Sequence, residues 1–210
     1  MRVIVFGATG GTGREIVKQA LERGHDVTAF VRNPAKLGFS HERLAVAQGD
    51  VMDAASVEAA MPGHDAALCA LGNRQYVLPT NILSKGTRHI VGAMKKHGVR
   101  RLVCETSLGV SDSFGRLGLY YTLFVYPVVM PFYWFDKEDQ ERFVKKCDLE
   151  WVIVRPGQLT NGRKRGQYRH GPKVGNYLWS VSISRADVAD FMLNQVGETP
   201  YLRTAVNICY

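Results

Sequence analysis

A glycine-rich loop follows the first six residues of the chain and has the spacing of a phosphate-binding loop. It runs Gly7-Ala8-Thr9-Gly10-Gly11-Thr12-Gly13, between a β-branched stretch (2–6) and a stretch with apolar residues at helical spacing (12–23). In such a loop the first glycine permits a tight turn, the second lets the backbone approach a pyrophosphate, and the third allows close helix–sheet packing. Free N–H groups at the start of the helix attract the phosphates. The strand–loop–helix context therefore predicts a dinucleotide site.

The end of the second predicted strand, 25–31, discriminates between the two nicotinamide dinucleotides. A carboxylate there would bind the ribose 2′-hydroxyl of NAD, whereas an arginine suits the 2′-phosphate of NADP. The chain has Arg32 at this point, with Lys36 just beyond it and no acidic residue before Glu42. Arg32 can also stack on the adenine. The alternative is a solvated surface arginine, but the pattern favours NADP(H) as the cofactor.

Three residues in the second half of the chain have the types that a hydride-transfer enzyme uses for proton chemistry. Ser107 would orient a carbonyl, the phenol of Tyr133 would exchange the proton, and Lys137 would lower the pKa of that phenol and hold the ribose. The four-residue spacing places Tyr133 and Lys137 on the same face of a helix. Alternatively, Tyr133 is a packing residue in a tyrosine-rich stretch, and Lys137 contacts cofactor or substrate without it.

The elements that must position these residues alternate between strands and helices. This order predicts an α/β fold: a Rossmann-type, doubly wound parallel sheet in a single domain spanning 1–210. The predicted strands are 2–6, 25–31, 44–47, 65–71, 101–106 and 150–154, with an edge strand at 204–208. The predicted helices are 12–23, 54–61, 82–96, 136–146 and 184–196, the last opened by a capping box of Ser184 and Asp187.

Composition restricts the class of protein. The 210 residues are 46% hydrophobic, which is typical of a soluble globular domain with one core. We expect no secretory signal, because the apolar run at 3–6 is too short for one. The four cysteines form no CxxC pair, which argues against a disulfide framework and a zinc site and predicts a cytoplasmic location.

The net charge of +8 is concentrated in a basic stretch, 155–173. It lacks interleaved aromatics and matches no DNA-binding motif, so we predict no nucleic-acid partner. The simpler explanation is that the positive charge binds a phosphate-bearing cofactor and an anionic acceptor. We expect 162–173 to lie at the carboxyl edge of the sheet, near the acceptor.

An uncharged stretch, 117–135, stands out because many of its residues are aromatic. Its length approaches that of a membrane-spanning helix, but two prolines make it a poor helix, and spanning would prevent the sheet from closing. We therefore predict no transmembrane segment. Three interpretations remain: a lid over a flat aromatic substrate, a homodimer face, or a shallow contact with a membrane surface. The lid is favoured because the stretch follows the fifth strand, so 108–135 and 157–182 are expected to cover the substrate of a monomer or homodimer.

Several segments together resemble the atypical short-chain dehydrogenase/reductases with an NmrA-like NAD(P)-binding domain. Within that family the chain is most similar to the flavin reductase and biliverdin-IX-beta reductase group. The segments are VIVFGATGGTG (3–13), FVRNPAKL (30–37), GDVMD (49–53), ALGNR (70–74), GTRHIVGAMKKHGVRRLVCETS (86–107) and ISRADVADFML (183–193).

The resemblance implies roles for particular residues. Asp50 and Val51 would lie beside the adenine, Leu71-Gly72 would pass the ribose and diphosphate, and Thr106-Ser107 would line the nicotinamide pocket. From the residues alone, Asp50 could equally be a turn residue that caps the next helix. The group can carry a histidine soon after the sixth strand. Here that stretch reads Arg-Pro-Gly-Gln (155–158), which weakens the case for biliverdin as substrate.

These features predict an NADPH-dependent oxidoreductase that reduces a flavin or another planar, conjugated acceptor, apolar or anionic, by hydride transfer. In the resembling group, solvent can supply the proton. Two alternatives remain open. One is a non-catalytic, NmrA-like module that binds NADP as a redox sensor. The other is an epimerase-like enzyme that uses Ser107, Tyr133 and Lys137.

Overall fold

The computed structural model describes residues 1–73, 75, 78–197 and 199–210. Arg74, the last residue of the resembling segment 70–74, lies outside the described residues. The strands are β1 (Arg2–Phe6), β2 (Asp26–Val31), β3 (Leu44–Gln48), β4 (Ala66–Cys69), β5 (Arg101–Glu105), β6 (Glu150–Pro156), β7 (Gln158–Thr160), β8 (Arg169–Gly171), β9 (Ser182–Ser184) and β10 (Thr204–Cys209). The α-helices are α1 (Gly11–Glu22), α2 (Ala54–Ala60), α3 (Ile82–Lys96), α4 (Pro131–Lys146) and α5 (Arg185–Asn194), and a π-helix spans Tyr121–Val129.

The main sheet has the order β3-β2-β1-β4-β5-β6-β10-β8, and its pairs are parallel except β10 with β8. The winding direction reverses between β1 and β4, so their carboxyl ends form a crevice where ligands bind in such sheets. β7 and β9 form a small second sheet. The predicted single-domain, doubly wound α/β fold is confirmed.

The core lies on both faces of the sheet, as the continuous apolar strands require. Val3 and Val5 of β1 point to the face covered by α1 and α5, whereas Ile4 and Phe6 point to the face covered by α2, α3 and α4. This two-sided burial fixes β1, and therefore fixes the loop that follows it.

The prediction that 204–208 is an edge strand is wrong. β10 lies between β6 and β8, and β8 pairs with it in the antiparallel sense. The three residues of β8, Arg-His-Gly, belong to the basic stretch and carry no apolar alternation that would predict a strand. Asn207 of β10 fixes the segment that follows β8, since its Nδ2 donates to the carbonyls of Pro172 (3.0 Å) and Val174 (2.9 Å).

The stretch 117–135 is not one continuous helix, but much of it is helical, and the prediction that the following helix begins at 136 is wrong. The stretch contains the π-helix, with Pro127 inside it, and the first turn of α4, which begins at Pro131 rather than at 136. Proline is tolerated at the first position of a helix because its missing N–H has no partner there. Tertiary packing of Val125 and Tyr126, both buried, outweighs the weak propensity of the π-helix. Among the described residues, no helix has the length and hydropathy needed to cross a bilayer.

Arg155 belongs to the basic stretch of the sequence, but it is not a surface cation. Its side chain is fully buried and donates to Glu141 through Nε (2.8 Å) and Nη2 (2.5 Å), and to Asp112 through Nη2 (2.7 Å). Its bonds to Asp112, with those of Lys145, hold the pKa of that carboxyl well below its usual range. The pairing ties β6 to α4 and to the loop after β5, which sequence spacing could not reveal because the partners are distant in the chain.

Candidate active site

The glycine loop makes a tight connection between β1 and α1. Gly7 has a φ of +81°, and the N–H of Gly10 donates to its carbonyl at 2.8 Å. A Cβ at Gly7 would lie 2.3 Å from the carbonyl oxygen of Ala70, and a Cβ at Gly13 would lie 2.1 Å from the Gly7 oxygen. Both positions therefore exclude any side chain, which brings the ends of β1, β4 and α1 together.

The start of α1 offers hydrogen-bond donors to an anion. Gly10, the N-cap, provides no side-chain cap, and the first turn contains no acidic residue. The first N–H groups of a helix have no partner within it. The buried hydroxyl of Thr12 instead donates to Glu105 Oε1 at 3.0 Å, which ties the loop to the end of β5. Bare donors at a helix N-terminus fit a diphosphate.

Arg185 lies across this loop, although sequence reasoning did not single it out. A Cβ at Gly11 would lie 2.5 Å from its Cδ and 2.6 Å from its Nε, and its Nη1 donates to Asn161 Oδ1 at 2.6 Å. Burial raises the pKa of Glu105, and Lys137, Thr12 and Arg185 partly offset this rise. Arg185 begins α5, within the resembling segment 183–193, and this segment was the one signal that could have found it.

The segment after β2 carries the cations that are predicted to bind the 2′-phosphate of the ribose. Arg32 and Lys36 are both exposed. Arg14 of α1, which was not predicted, reaches the same segment and donates to the carbonyls of Thr9 (3.2 Å), Leu37 (3.2 Å) and Lys36. These three arginine and lysine side chains give the edge the positive charge that a 2′-phosphate requires.

Asp50 and Val51 form the turn after β3. The Asp50 carboxylate accepts the N–H of Met52 at 2.9 Å, so it closes a local turn. The helix that follows is capped by Asp53, whose Oδ1 accepts the N–H of Ala55 at 3.0 Å, and not by Asp50. Val51 is buried, and its carbonyl pairs with His89 Nδ1 at 2.8 Å, which holds this turn against α3.

Lys137 forms the floor of the crevice. It is 1% exposed, and its Nζ donates to the carbonyls of Leu71 (3.2 Å) and Glu105 (3.0 Å), at the ends of β4 and β5. Burial opposes its charge, but Tyr133 and other neighbours raise the pKa of Lys137 above its ordinary value. The Tyr133 ring centroid lies 5.8 Å from Nζ, so the structure brings this predicted pair together. A Cβ at Gly72 would meet nothing within 4 Å, which leaves the crevice open at that point.

Ser107 pairs with a residue that sequence reasoning missed. Its Oγ lies 3.0 Å from the phenol oxygen of Tyr126, which donates to the Leu108 carbonyl at 2.5 Å, and burial raises the pKa of Tyr126. Trp134 Nε1 donates to the Gly109 carbonyl at 3.1 Å, so aromatic rings are tethered directly after β5. The tyrosine-rich stretch was a signal for such a residue but did not select Tyr126.

Thr106, predicted to line the nicotinamide pocket with Ser107, directs its hydroxyl elsewhere. The hydroxyl donates to Glu141 Oε1 at 2.7 Å, and the side chain is buried. Its side chain is therefore committed to the ion network around Arg155, while Ser107 faces the aromatic cluster.

The fold and the glycine cradle together define a dinucleotide-binding protein of the Rossmann class, with the fold of NAD(P)-dependent oxidoreductases. The chain belongs to the NAD(P)H-binding family, whose model matches residues 7–199. The predicted family resemblance and cofactor class are confirmed.

Two curated relatives extend over most of the chain. An uncharacterized chloroplastic protein of Arabidopsis thaliana is 34% identical over 202 residues, which cover 90% of this chain and 69% of the relative. The photosystem II assembly factor Ycf39 of Synechocystis is 32% identical over 208 residues, which cover 93% of this chain and 58% of that protein. The chain thus spans less than two thirds of Ycf39. The predicted cytoplasmic location stays a prediction.

Solved structures reproduce the fold. ChuY of Escherichia coli O157:H7, an anaerobilin reductase, superposes with a TM-score of 0.79 at 24% identity, covering 100% of this chain and 97% of ChuY. The oxidoreductase ylbE of Lactococcus lactis gives a TM-score of 0.82 at 19% identity, covering 100% of this chain and 90% of its own. At this identity the likeness establishes the architecture alone.

Proposed function

We propose that the protein uses NADPH to reduce a planar, conjugated acceptor such as a flavin. The observation that carries the proposal is the aromatic cluster of Tyr126 and Trp134 tethered to Ser107–Gly109, immediately after β5. In this fold the reactive end of the dinucleotide lies at the carboxyl ends of β4 and β5. Trp134, which is partly exposed and packs on the buried Tyr126, would offer a flat acceptor a ring to stack against.

The residues around the glycine loop fit NADPH. The uncapped start of α1 and the guanidinium of Arg185 would hold the diphosphate, since both present donors at Gly11. Arg14, Arg32 and Lys36 would hold the 2′-phosphate. The bound cofactor supplies a hydride, and the chain's part is to orient the two partners and exclude water.

Reduction also consumes a proton, which solvent or a hydroxyl group of the chain would deliver to the acceptor. Ser107 and Tyr126 form a hydrogen-bonded pair whose outer member, Ser107, is half-buried. Lys137 keeps its charge in the floor, where its bonds to two carbonyls position the ends of β4 and β5. Its positive charge also favours an anionic reduced acceptor nearby.

The test is NADPH oxidation by the purified chain, followed by absorbance, with FMN, FAD, riboflavin, biliverdin and simple quinones offered in turn. We expect turnover with at least one flavin and much slower turnover when NADH replaces NADPH. Tight NADP binding by calorimetry without turnover of any acceptor would reject the reductase and favour the redox-sensing module.

A further inference from the structure

The exposed apolar side chains of the described residues are strongly clustered. Of seventeen exposed large hydrophobic residues, eleven lie in two short ranges, 119–135 and 177–179. We call their exposed side chains the apolar face. The most exposed are Leu123 (69%), Val128 (64%) and Trp179 (74%). Monomeric soluble proteins rarely leave such a patch open to water, and patches of this kind are typical of interaction sites.

The two ranges form one continuous surface. The N–H of Leu119 donates to the Leu178 carbonyl at 3.3 Å, and Leu117 forms a β-bridge with Asn176. A Cβ at Gly118 would lie 2.6 Å from the backbone of Trp179. The ranges are therefore packed backbone to backbone.

The exposed side chains have no interior site to turn into. The inner side of the π-helix is already filled by Val125 and Tyr126, which are buried, with Tyr126 packed against Leu108 and Trp134. Leu123 and Val128 lie on the opposite side. A helix that is apolar on all sides is normally buried all round. This one is buried on one side only.

The charge around the apolar face is positive. The sequence contains no acidic residue in 113–135 or in 151–186. Arg116 stacks on the exposed Tyr177 ring, with its guanidinium carbon 5.0 Å from the centroid, and donates to the Lys173 carbonyl at 2.6 Å. Lys173 is itself exposed. A cationic rim thus adjoins exposed Tyr and Trp side chains.

The acidic residues nearest in the chain either pair with cations or accept backbone N–H groups. Asp112 pairs with Arg155 and Lys145, and Asp139 pairs with Arg142. The buried Asp136 accepts the N–H groups of Leu83 and Ser84, both at 2.9 Å, and Glu138 accepts the N–H of Ser111 at 2.9 Å. Within 113–135 and 151–186, the ranges that contain the face, the charged residues are cations, and the net charge of +8 adds to the positive field that an approaching surface meets.

We propose that the apolar face docks on a membrane surface that contains anionic lipids. Exposed aliphatic and aromatic side chains would enter the headgroup boundary, and Arg116 and Lys173 would meet the lipid phosphates. Trp and Tyr are the residues that favour this boundary. A second copy of the chain fits less well, because a twofold interface would bring the same cationic rim against itself. This inference does not depend on the acceptor of the proposed reductase.

The test is co-sedimentation of the full chain with vesicles of phosphatidylcholine alone or mixed in equal parts with phosphatidylglycerol. We expect binding to the mixed vesicles, weakened by salt, with a blue shift of tryptophan fluorescence that is smaller in Trp179→Phe. Leu123→Ser combined with Val128→Ser lowers binding at least about tenfold, because two aliphatic side chains no longer leave water. Lys173→Glu lowers it by about tenfold on mixed vesicles. The matched control, Leu202→Ser, removes an exposed leucine outside the face and leaves binding unchanged.

Two results would overturn the proposal. One is an absence of binding to mixed vesicles by a chain that still binds NADP. The other is a dimer in sedimentation equilibrium that Leu123→Ser with Val128→Ser converts to monomer, which would assign the face to a second copy.

Discussion

The cofactor side and the acceptor side of the crevice are built by different means. On the cofactor side, Gly7 and Gly13 bring backbone against backbone, and the chemistry is that of N–H groups in a loop of seven residues. On the acceptor side, Tyr126 and Trp134 bond to the segment after β5, and Lys137 bonds to the ends of β4 and β5. The buried pair of Arg155 and Glu141 anchors α4 beside them. A site made of backbone is specified locally, whereas a site made of side chains depends on how distant segments pack.

The largest effect is expected where the acceptor side is anchored. Arg155→Met leaves the buried Glu141 with only the longer ion-pair contact from Lys145 (3.4 Å) and should lower the free energy of unfolding by about 3–5 kcal/mol. Urea denaturation followed by circular dichroism measures the loss. The double variant Arg155→Met, Glu141→Leu removes both charges and should recover most of it. A single variant within about 1 kcal/mol of the parent chain would contradict the anchoring role.

The same variant has a pH signature. The pKa of Asp112 is lower in the folded chain than in the unfolded one, mainly through its bonds to Arg155. Its contribution to stability is therefore complete above its unfolded pKa of about 4 and is lost as the pH falls towards the folded pKa. Arg155→Met should make the loss of stability below about pH 4 shallower.

The next largest effect is expected on the cofactor side. A side chain at position 13 meets the Gly7 carbonyl, so Gly13→Val should distort the loop and weaken NADPH binding by at least about a hundredfold, roughly 2.7 kcal/mol. Titration calorimetry measures the affinity. Gly92→Ala is the control: its Cβ meets nothing within 4 Å in α3, so binding should be unchanged and the helix slightly stabilised. Equal affinities in the two variants would refute the backbone cradle.

A smaller effect separates the two phosphate subsites. Arg32→Ala should reduce the preference for NADPH over NADH about tenfold, because one charge-assisted hydrogen bond to the 2′-phosphate is lost. Arg185→Ala should weaken both dinucleotides by a similar factor, since the diphosphate is common to them. The control is Arg100→Ala. Arg100 is exposed and directly precedes β5, so it lies at the amino ends of the strands, away from the cofactor crevice. An unchanged NADPH preference in Arg32→Ala would show that Arg32 is a solvated surface residue that does not bind the 2′-phosphate.

The smallest effect is expected from the phenols if solvent can replace them as proton donors. Tyr133→Phe and Tyr126→Phe should each change kcat for flavin reduction by about threefold or less, whereas an epimerase-like mechanism predicts a loss of about 10²–10⁴ for its tyrosine. Steady-state kinetics with a saturating acceptor decides between them. A large loss confined to Tyr126→Phe would make the Ser107–Tyr126 pair the proton path, in place of Tyr133 and Lys137.

Most of the fold was predictable because its signals are local. The alternation of strands and helices, the glycine loop, the N-cap at Ser184 and the stop at Gly24 each occupy a few neighbouring residues, and the structure contains them all. Only half of the predicted capping box forms, because the Ser184 N–H donates to the Tyr210 hydroxyl at 3.1 Å and not to Asp187. The exceptions include the three-residue strands β7, β8 and β9, which are too short to show alternation, and the π-helix, whose apolar residues are common to strands and helices.

The sequence by itself therefore determined the Rossmann sheet, the dinucleotide cradle and the cation after β2, because periodicity and backbone sterics act over short distances along the chain. Only the tertiary structure decided that Arg155 is buried, that Arg185 lies on Gly11, and that Ser107 pairs with Tyr126. These contacts join segments that are far apart in sequence. The neighbouring residues in the sequence do not indicate that a charged or phenolic side chain is buried. The free-energy cost of burying it is offset only by a partner on another element of the fold.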